Sequence, residues 1–204
     1  MTGRPLHVRT YPTLAVLLFA FGPSPGTSPA ATVNVSVSNF VFTPSAVTAV
    51  QGDAVQWDFF GPNFHTATEQ TGLQLFNSGV QGAGGTFSFT FVTAGTYQYL
   101  CSIHPTLMMG TVAVPLKASP TTLPLGASVT ITWASAAIPV GYVMDLEVKK
   151  PGGANFNPLL TGTTQKKGTG VPPARGTYQF RARLRRLSNG ATSMFSPIIS
   201  ISVT

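Results

Sequence analysis

The residues of this 204-residue chain with the most chemistry to offer lie close together near its middle. Cys101, the only cysteine, opens the run Cys101-Ser102-Ile103-His104-Pro105-Thr106-Leu107-Met108-Met109-Gly110, so a thiol, an imidazole and a thioether fall within eight residues. His65, after Gly61-Pro62-Asn63-Phe64, is the one other histidine past His7. A thiolate, two imidazoles and a soft thioether form a donor set that copper accepts in both oxidation states, as three strong ligands and a weak axial one. Zinc prefers four firm N, S or O donors and suits the set less well. Taken singly, each of these residues reads as packing, since buried Cys and Met behave as hydrophobes. Their coincidence points to a metal.

Such side chains can meet only if strands carry them to one place. Val33, Val35 and Val37 alternate with polar residues, Ala54 to Phe60 follows a Gly52-Asp53 turn, and Phe87, Phe89 and Phe91 alternate with Ser88 and Thr90. Tyr97, Tyr99 and Cys101 share one parity, and Val112 and Val114 mark a last strand. This period of two gives each strand one apolar face. No segment keeps a 3.6-residue period over ten residues. The fold class is therefore all-β, a two-sheet sandwich or Greek-key barrel. Trp57, Tyr97, Tyr99 and the phenylalanines are expected in the core, Asp53 in a turn, and Cys101 at a strand end pointing inward.

The stretch from Asn39 to Val114 resembles a cupredoxin of the plastocyanin and azurin family. The likeness is carried by Phe40-Val41-Phe42-Thr43-Pro44, Gly52-Asp53-Ala54-Val55-Gln56-Trp57, Asn63-Phe64-His65-Thr66 and Gly95-Thr96-Tyr97-Gln98-Tyr99-Leu100-Cys101-Ser102-Ile103-His104. It implies one type 1 copper ion with His65, Cys101 and His104 as equatorial ligands. For the axial position, plastocyanin-like spacing would select Met109. Azurin-like spacing, and the register that leads from Met108 through Gly110 to Val112 and Val114, selects Met108. Met108 is expected, because a slip of one residue would reverse the faces of both valines. Thr66 stands where the family often has Asn, and is expected to brace the ligand loop by bonding near Ser102. The resemblance also implies that His104 lies near the surface and passes electrons to redox partners docking there, with Pro105 and Leu107 in an apolar patch.

The rest of the chain sets the context. Arg4, His7 and Arg9 precede an apolar stretch from Leu14 to Phe21 and the small residues Ser28-Pro29-Ala30-Ala31, which reads as a signal peptide over 1–30. Export to a periplasm or the exterior follows, with no transmembrane span once the leader is cut, since no run approaches the ~20 apolar residues a span needs. Apolar residues make up 43% and charged ones 8%, with 21 Gly and 17 Pro, a balance that suits short strands and turns and argues against disorder. Charge divides the chain. Residues 31–114 hold Asp53, Asp58 and Glu69 and no Lys or Arg, a charge of −3, whereas residues 115–204 hold ten Lys or Arg against Asp145 and Glu147, a charge of +8. That step, at Pro115-Leu116-Lys117-Ala118-Ser119-Pro120, places a domain boundary between 31–114 and 115–204.

Strand signals return in the second part at Ala127–Ala134, Tyr142–Lys149, Thr177–Leu187 and Thr192–Val203, with an Asn189-Gly190 hairpin turn. Trp133 and Gly176-Thr177-Tyr178-Gln179-Phe180 resemble a fibronectin type III or immunoglobulin-like domain, a resemblance that implies a spacer or interaction module. Arg181, Arg183 and Arg185 share one strand face. This stripe reads as a solvated face or as a contact with an anionic surface or acidic protein, and no nucleic-acid motif accompanies it. The function expected is single-electron transfer between redox partners, without enzymatic turnover. A copper oxidase or nitrite reductase needs further histidines that the chain past its leader lacks. Copper sequestration or delivery, or an adhesion module with incidental copper, are the alternatives.

Overall fold

The computed structural model describes residues 30–204, so the expected leader over 1–30, Ala30 apart, lies outside the described residues. Among the described residues there are sixteen strands and no α-helix, and no helix long and apolar enough to cross a membrane.

The first eight strands are β1 (Thr32–Ser38), β2 (Val41–Thr43), β3 (Ala46–Thr48), β4 (Ala54–Phe59), β5 (Thr68–Glu69), β6 (Thr86–Thr90), β7 (Gly95–Leu100) and β8 (Met109–Val114). They form two four-stranded sheets, β2-β1-β4-β6 and β3-β8-β7-β5. β1 runs parallel to β4, and β3 to β8. The alternation seen in the sequence becomes a core: Val35, Val37, Trp57 and Phe59 from one sheet and Tyr97, Tyr99, Val112 and Val114 from the other are all buried. Asp53 is the turn residue expected, its carboxylate accepting the N–H groups of Val50 and Ala31 and so tying the turn to the start of β1. Gly110 lies opposite Tyr99 in the β7–β8 ladder. A Cβ there would sit 2.3 Å from the Tyr99 ring, so the strand that leads out of the Met108 turn tolerates only glycine at this contact.

The other eight strands are β9 (Lys117–Ser119), β10 (Thr122–Leu123), β11 (Val129–Thr132), β12 (Tyr142–Lys149), β13 (Asn157–Thr163), β14 (Lys167–Gly170), β15 (Gly176–Arg186) and β16 (Ile199–Val203). A three-stranded sheet, β14-β11-β9, faces a five-stranded one, β10-β16-β15-β12-β13. Gly-Thr-Tyr-Gln opens both β7 and β15, and both tyrosines tie back to the residue four positions earlier. Tyr97 Oη bonds Thr93, and Tyr178 Oη meets the backbone N–H and C=O of Ala174.

The two sandwiches meet at the expected boundary, and their buried residues form one continuous cluster. Only Pro115 and the buried Leu116 separate β8 from β9. Thr96 and Met194 exchange both backbone hydrogen bonds at 3.0 Å, Ala94 donates to the Trp133 carbonyl, and Ser135 donates to that of Val92. The buried Gln51 side chain donates to the carbonyls of Pro115 and Thr132. A Cβ on Gly95 would lie 2.8 Å from Ser193 Oγ. Backbone of one sandwich thus lies directly on backbone of the other.

Two expectations are corrected. The strand expected over Thr192–Val203 begins only at Ile199. Before it, Ser193 Oγ and Ser196 Oγ accept the N–H groups of Leu184 and Ala182 in place of ladder carbonyls, and Pro197 has no N–H to give. The arginine stripe is not free charge. Arg181 pairs with Glu147 at 2.7 Å and lies over the rings of Phe156 and Phe195, and Arg185 grips Asp145 through two bonds. Arg183 stands 3.6 Å from Asp145. Strand pairing sets Asp145 against Arg183 and Glu147 against Arg181.

Candidate metal centre

The site forms where the β7–β8 turn meets the loop after β4. His65 is held at both ends of its peptide, its N–H donating to Gln81 C=O and its C=O accepting from Gln81 N–H. Cys101 follows β7 directly, and its N–H donates to the Met108 carbonyl. The His104 carbonyl accepts the N–H groups of both Leu107 and Met108, while His104 N–H returns to Cys101 C=O. This short closed turn fixes three of the four expected ligands to one another through the backbone.

The geometry brings the side chains together. His65 Nδ1, Cys101 Sγ and His104 Nδ1 lie within 4.8 Å of one another, with Sγ at 3.9 Å from the first nitrogen and 3.5 Å from the second. His65, Cys101 and Met108 are buried, whereas His104 is half-buried. Met109, the competitor for the axial position, is the first residue of β8 and 54% exposed against 1% for Met108. Parity along Met108, Gly110, Val112 and Val114 is all inward. Burial, and then the neighbouring charge of His104, holds the His65 imidazole below its usual pKa, which favours the neutral ring that can donate a lone pair. Its Nε2 is buried and has no partner among the described residues.

Thr66 braces the site as expected. Its Oγ accepts the Ser102 N–H at 2.7 Å and meets Ser102 Oγ at 3.0 Å, and its own N–H donates to Cys101 Sγ at 3.3 Å. That N–H holds the sulfur in place from the side of the His65 loop. One contact escaped the sequence reading. Phe40 sets its ring edge-on to His104 at 4.8 Å and to His65 at 6.3 Å, from a backbone φ of 60°. A bulky residue in the left-handed region is rare and strained, and nothing in the local sequence at Asn39-Phe40-Val41 announces it. A soft sulfur and two imidazole nitrogens converging in a buried pocket fit copper on donor type.

Comparison with known proteins bears on the same stretch. Residues 29–115 match the family model described as copper binding proteins, plastocyanin/azurin family. Over those residues the chain carries a copper-binding domain of the cupredoxin type, with copper as its cofactor. No curated protein matches the chain. Among solved structures it is similar to a reduced amicyanin variant, at 26% identity, 41% of this chain, 82% of that one and a TM-score of 0.38. It is also similar to a purple cupredoxin from Nitrosopumilus maritimus, at 25% identity, 41% of this chain, 99% of that one and a TM-score of 0.38. A fern plastocyanin variant is 22% identical, with 41% of this chain and 100% of that one covered and a TM-score of 0.38.

Proposed function

We propose that the chain is an exported carrier of single electrons, with copper held equatorially by His65, Cys101 and His104, axially by Met108, and no enzymatic turnover of its own. The convergence of two imidazole nitrogens and one sulfur within 4.8 Å carries this reading. Copper bound there would supply one-electron exchange. The protein's part is to keep His65 neutral, to hold the sulfur with the Thr66 N–H, and to limit motion through the closed 101–108 turn. Of the four ligands only His104 is half-exposed. Beside it in sequence, Ile103 and Leu107 are 45% and 65% exposed, an apolar rim that suits a redox partner docking at this edge. The C-terminal sandwich would act as an immunoglobulin-like spacer. Its three- and five-stranded sheets and the corner made by Tyr178 support that reading. Its unpaired lysines would supply any attraction to an anionic surface.

The experiment is redox titration of the copper-loaded chain. Met108→Leu is expected to raise the reduction potential with the colour retained, because it removes a weak donor that favours Cu(II), and Met109→Leu to leave it unchanged. The reverse pattern makes Met109 the axial ligand. A carrier keeps its copper through repeated reduction and oxidation, whereas loss of the ion on reduction points to storage or delivery.

A further inference from the structure

The C-terminal sandwich opens into an apolar cavity of about 370 Å³, remote in sequence from the copper ligands and within the size range of small-ligand sites. Its floor is core: Ile131, Trp133, Tyr178 and Phe180 are all buried yet line it. Two local devices keep it open. On β13, Leu160 pairs with Leu146 while Pro158 pairs with Glu147, which leaves Leu159 as an extra residue in a bulge. Bulges break the alternation of faces, and the adjacent Leu159 and Leu160 both line the cavity. Across from them β14 contributes Gly168 and Gly170. A Cβ at Gly170 would meet nothing within 4 Å, so ordinary side chains would fit there and would fill the space. Lys150 is the one charged residue in the lining.

We propose that this cavity binds a monomeric straight-chain carboxylate, with its hydrocarbon tail between β13 and β14 and its carboxylate on Lys150. The walls offer no charged or amide side chain besides Lys150, so the body of the ligand must be hydrocarbon. A single cation with no acid beside it in the lining selects an anionic head. Exposed leucines over a bare glycine wall leave apolar surface in water, and burying it against a tail supplies the driving force.

The test is calorimetric titration of the full chain with decanoate below its micelle concentration, with Trp133 fluorescence as a second readout. One decanoate per chain is expected. Lys150→Gln should weaken decanoate binding about two- to fivefold, as befits an exposed ion pair, and leave decanol binding unchanged. Gly170→Leu should abolish binding of both, and Leu160→Gln, at a 39%-exposed position that tolerates substitution, should weaken both at least tenfold. If Gly170→Leu fails to fold, Leu160→Gln decides. Absence of saturable binding, or binding that survives both cavity variants, overturns the proposal. Binding only to anionic phospholipid vesicles would replace it with a membrane contact, and concentration-dependent dimerisation blocked by Leu160→Gln would replace it with self-association. The copper band is an independent check that the N-terminal domain is intact, so failure here leaves the copper reading untouched.

Discussion

Two clusters of polar side chains in this protein, one on strands and one in loops, are finished differently. On the five-stranded sheet Asp145 accepts from Arg185 twice and from the Gly162 N–H, and Glu147 accepts from Arg181. At the end of the first sandwich, His65, Cys101 and His104 turn their donor atoms toward one another, and the buried His65 Nε2 has no partner among the described residues. The first cluster closes most of its valences, the buried Arg183 Nε excepted, and its charges pair across strands held in register. The second leaves lone pairs aimed at a common point, an arrangement that costs stability unless something occupies it. Charge on a surface is therefore a weaker sign of function than donors left unmatched in a core. The arginine stripe, conspicuous in the sequence, is mostly structural, and the quieter Cys-His-Met loop is the site.

This contrast can be broken by substitution in the metal-free chain. Asp145→Ala should give the largest effect, since it strands Arg183 and Arg185 beside a side chain that is only 10% exposed. A loss of about 1–3 kcal/mol is expected, measured by urea unfolding. Acid sharpens the same point. Burial raises the Asp145 pKa, but the Arg185 hydrogen bond, the Gly162 N–H and the charges of Arg185 and Arg183 outweigh it and hold the group below its usual 3.8. Its contribution is thus complete above pH 3.8 and is lost as pH falls through the folded value. Asp145→Asn should flatten that part of the stability profile.

Thr66→Val should come next, at about 1–2 kcal/mol, because the Ser102 N–H loses its acceptor. Copper-loaded protein should show a broadened, shifted visible band, since the ligand loop is less firmly held. His65→Phe should do least to the metal-free fold, within about 1 kcal/mol, since it exchanges an imidazole with an unpartnered nitrogen for an apolar ring. A loss as large as that of Asp145→Ala would mean that His65 is structural.

The legible parts of the molecule were those governed by local rules. Strands with one buried face, β1, β4, β7, β8 and β15, announce themselves by alternation, and the Cys101–Met108 turn keeps three ligands within one short segment. Strands β13 and β14 left no such trace, because they are exposed almost throughout and hold their places by pairing with β12 and β11. The arginine pairs were hidden for a related reason, as opposite charges on β12 and β15 meet only once the strands are in register. Phe40 was read only as part of an opening motif. Its approach to His104 depends on how β1 and β2 pack beside the β7–β8 turn, which spacing does not reveal.

The central assignment is tested most directly by copper loading followed by a visible spectrum of the native chain and of Cys101→Ser. One copper per native chain and an intense thiolate-to-copper band are expected, with the band absent from the serine variant, because Cys101 is the only cysteine. A native chain that binds copper without colour, or a serine variant that keeps the band, would contradict the assignment of this cluster as a type 1 copper centre.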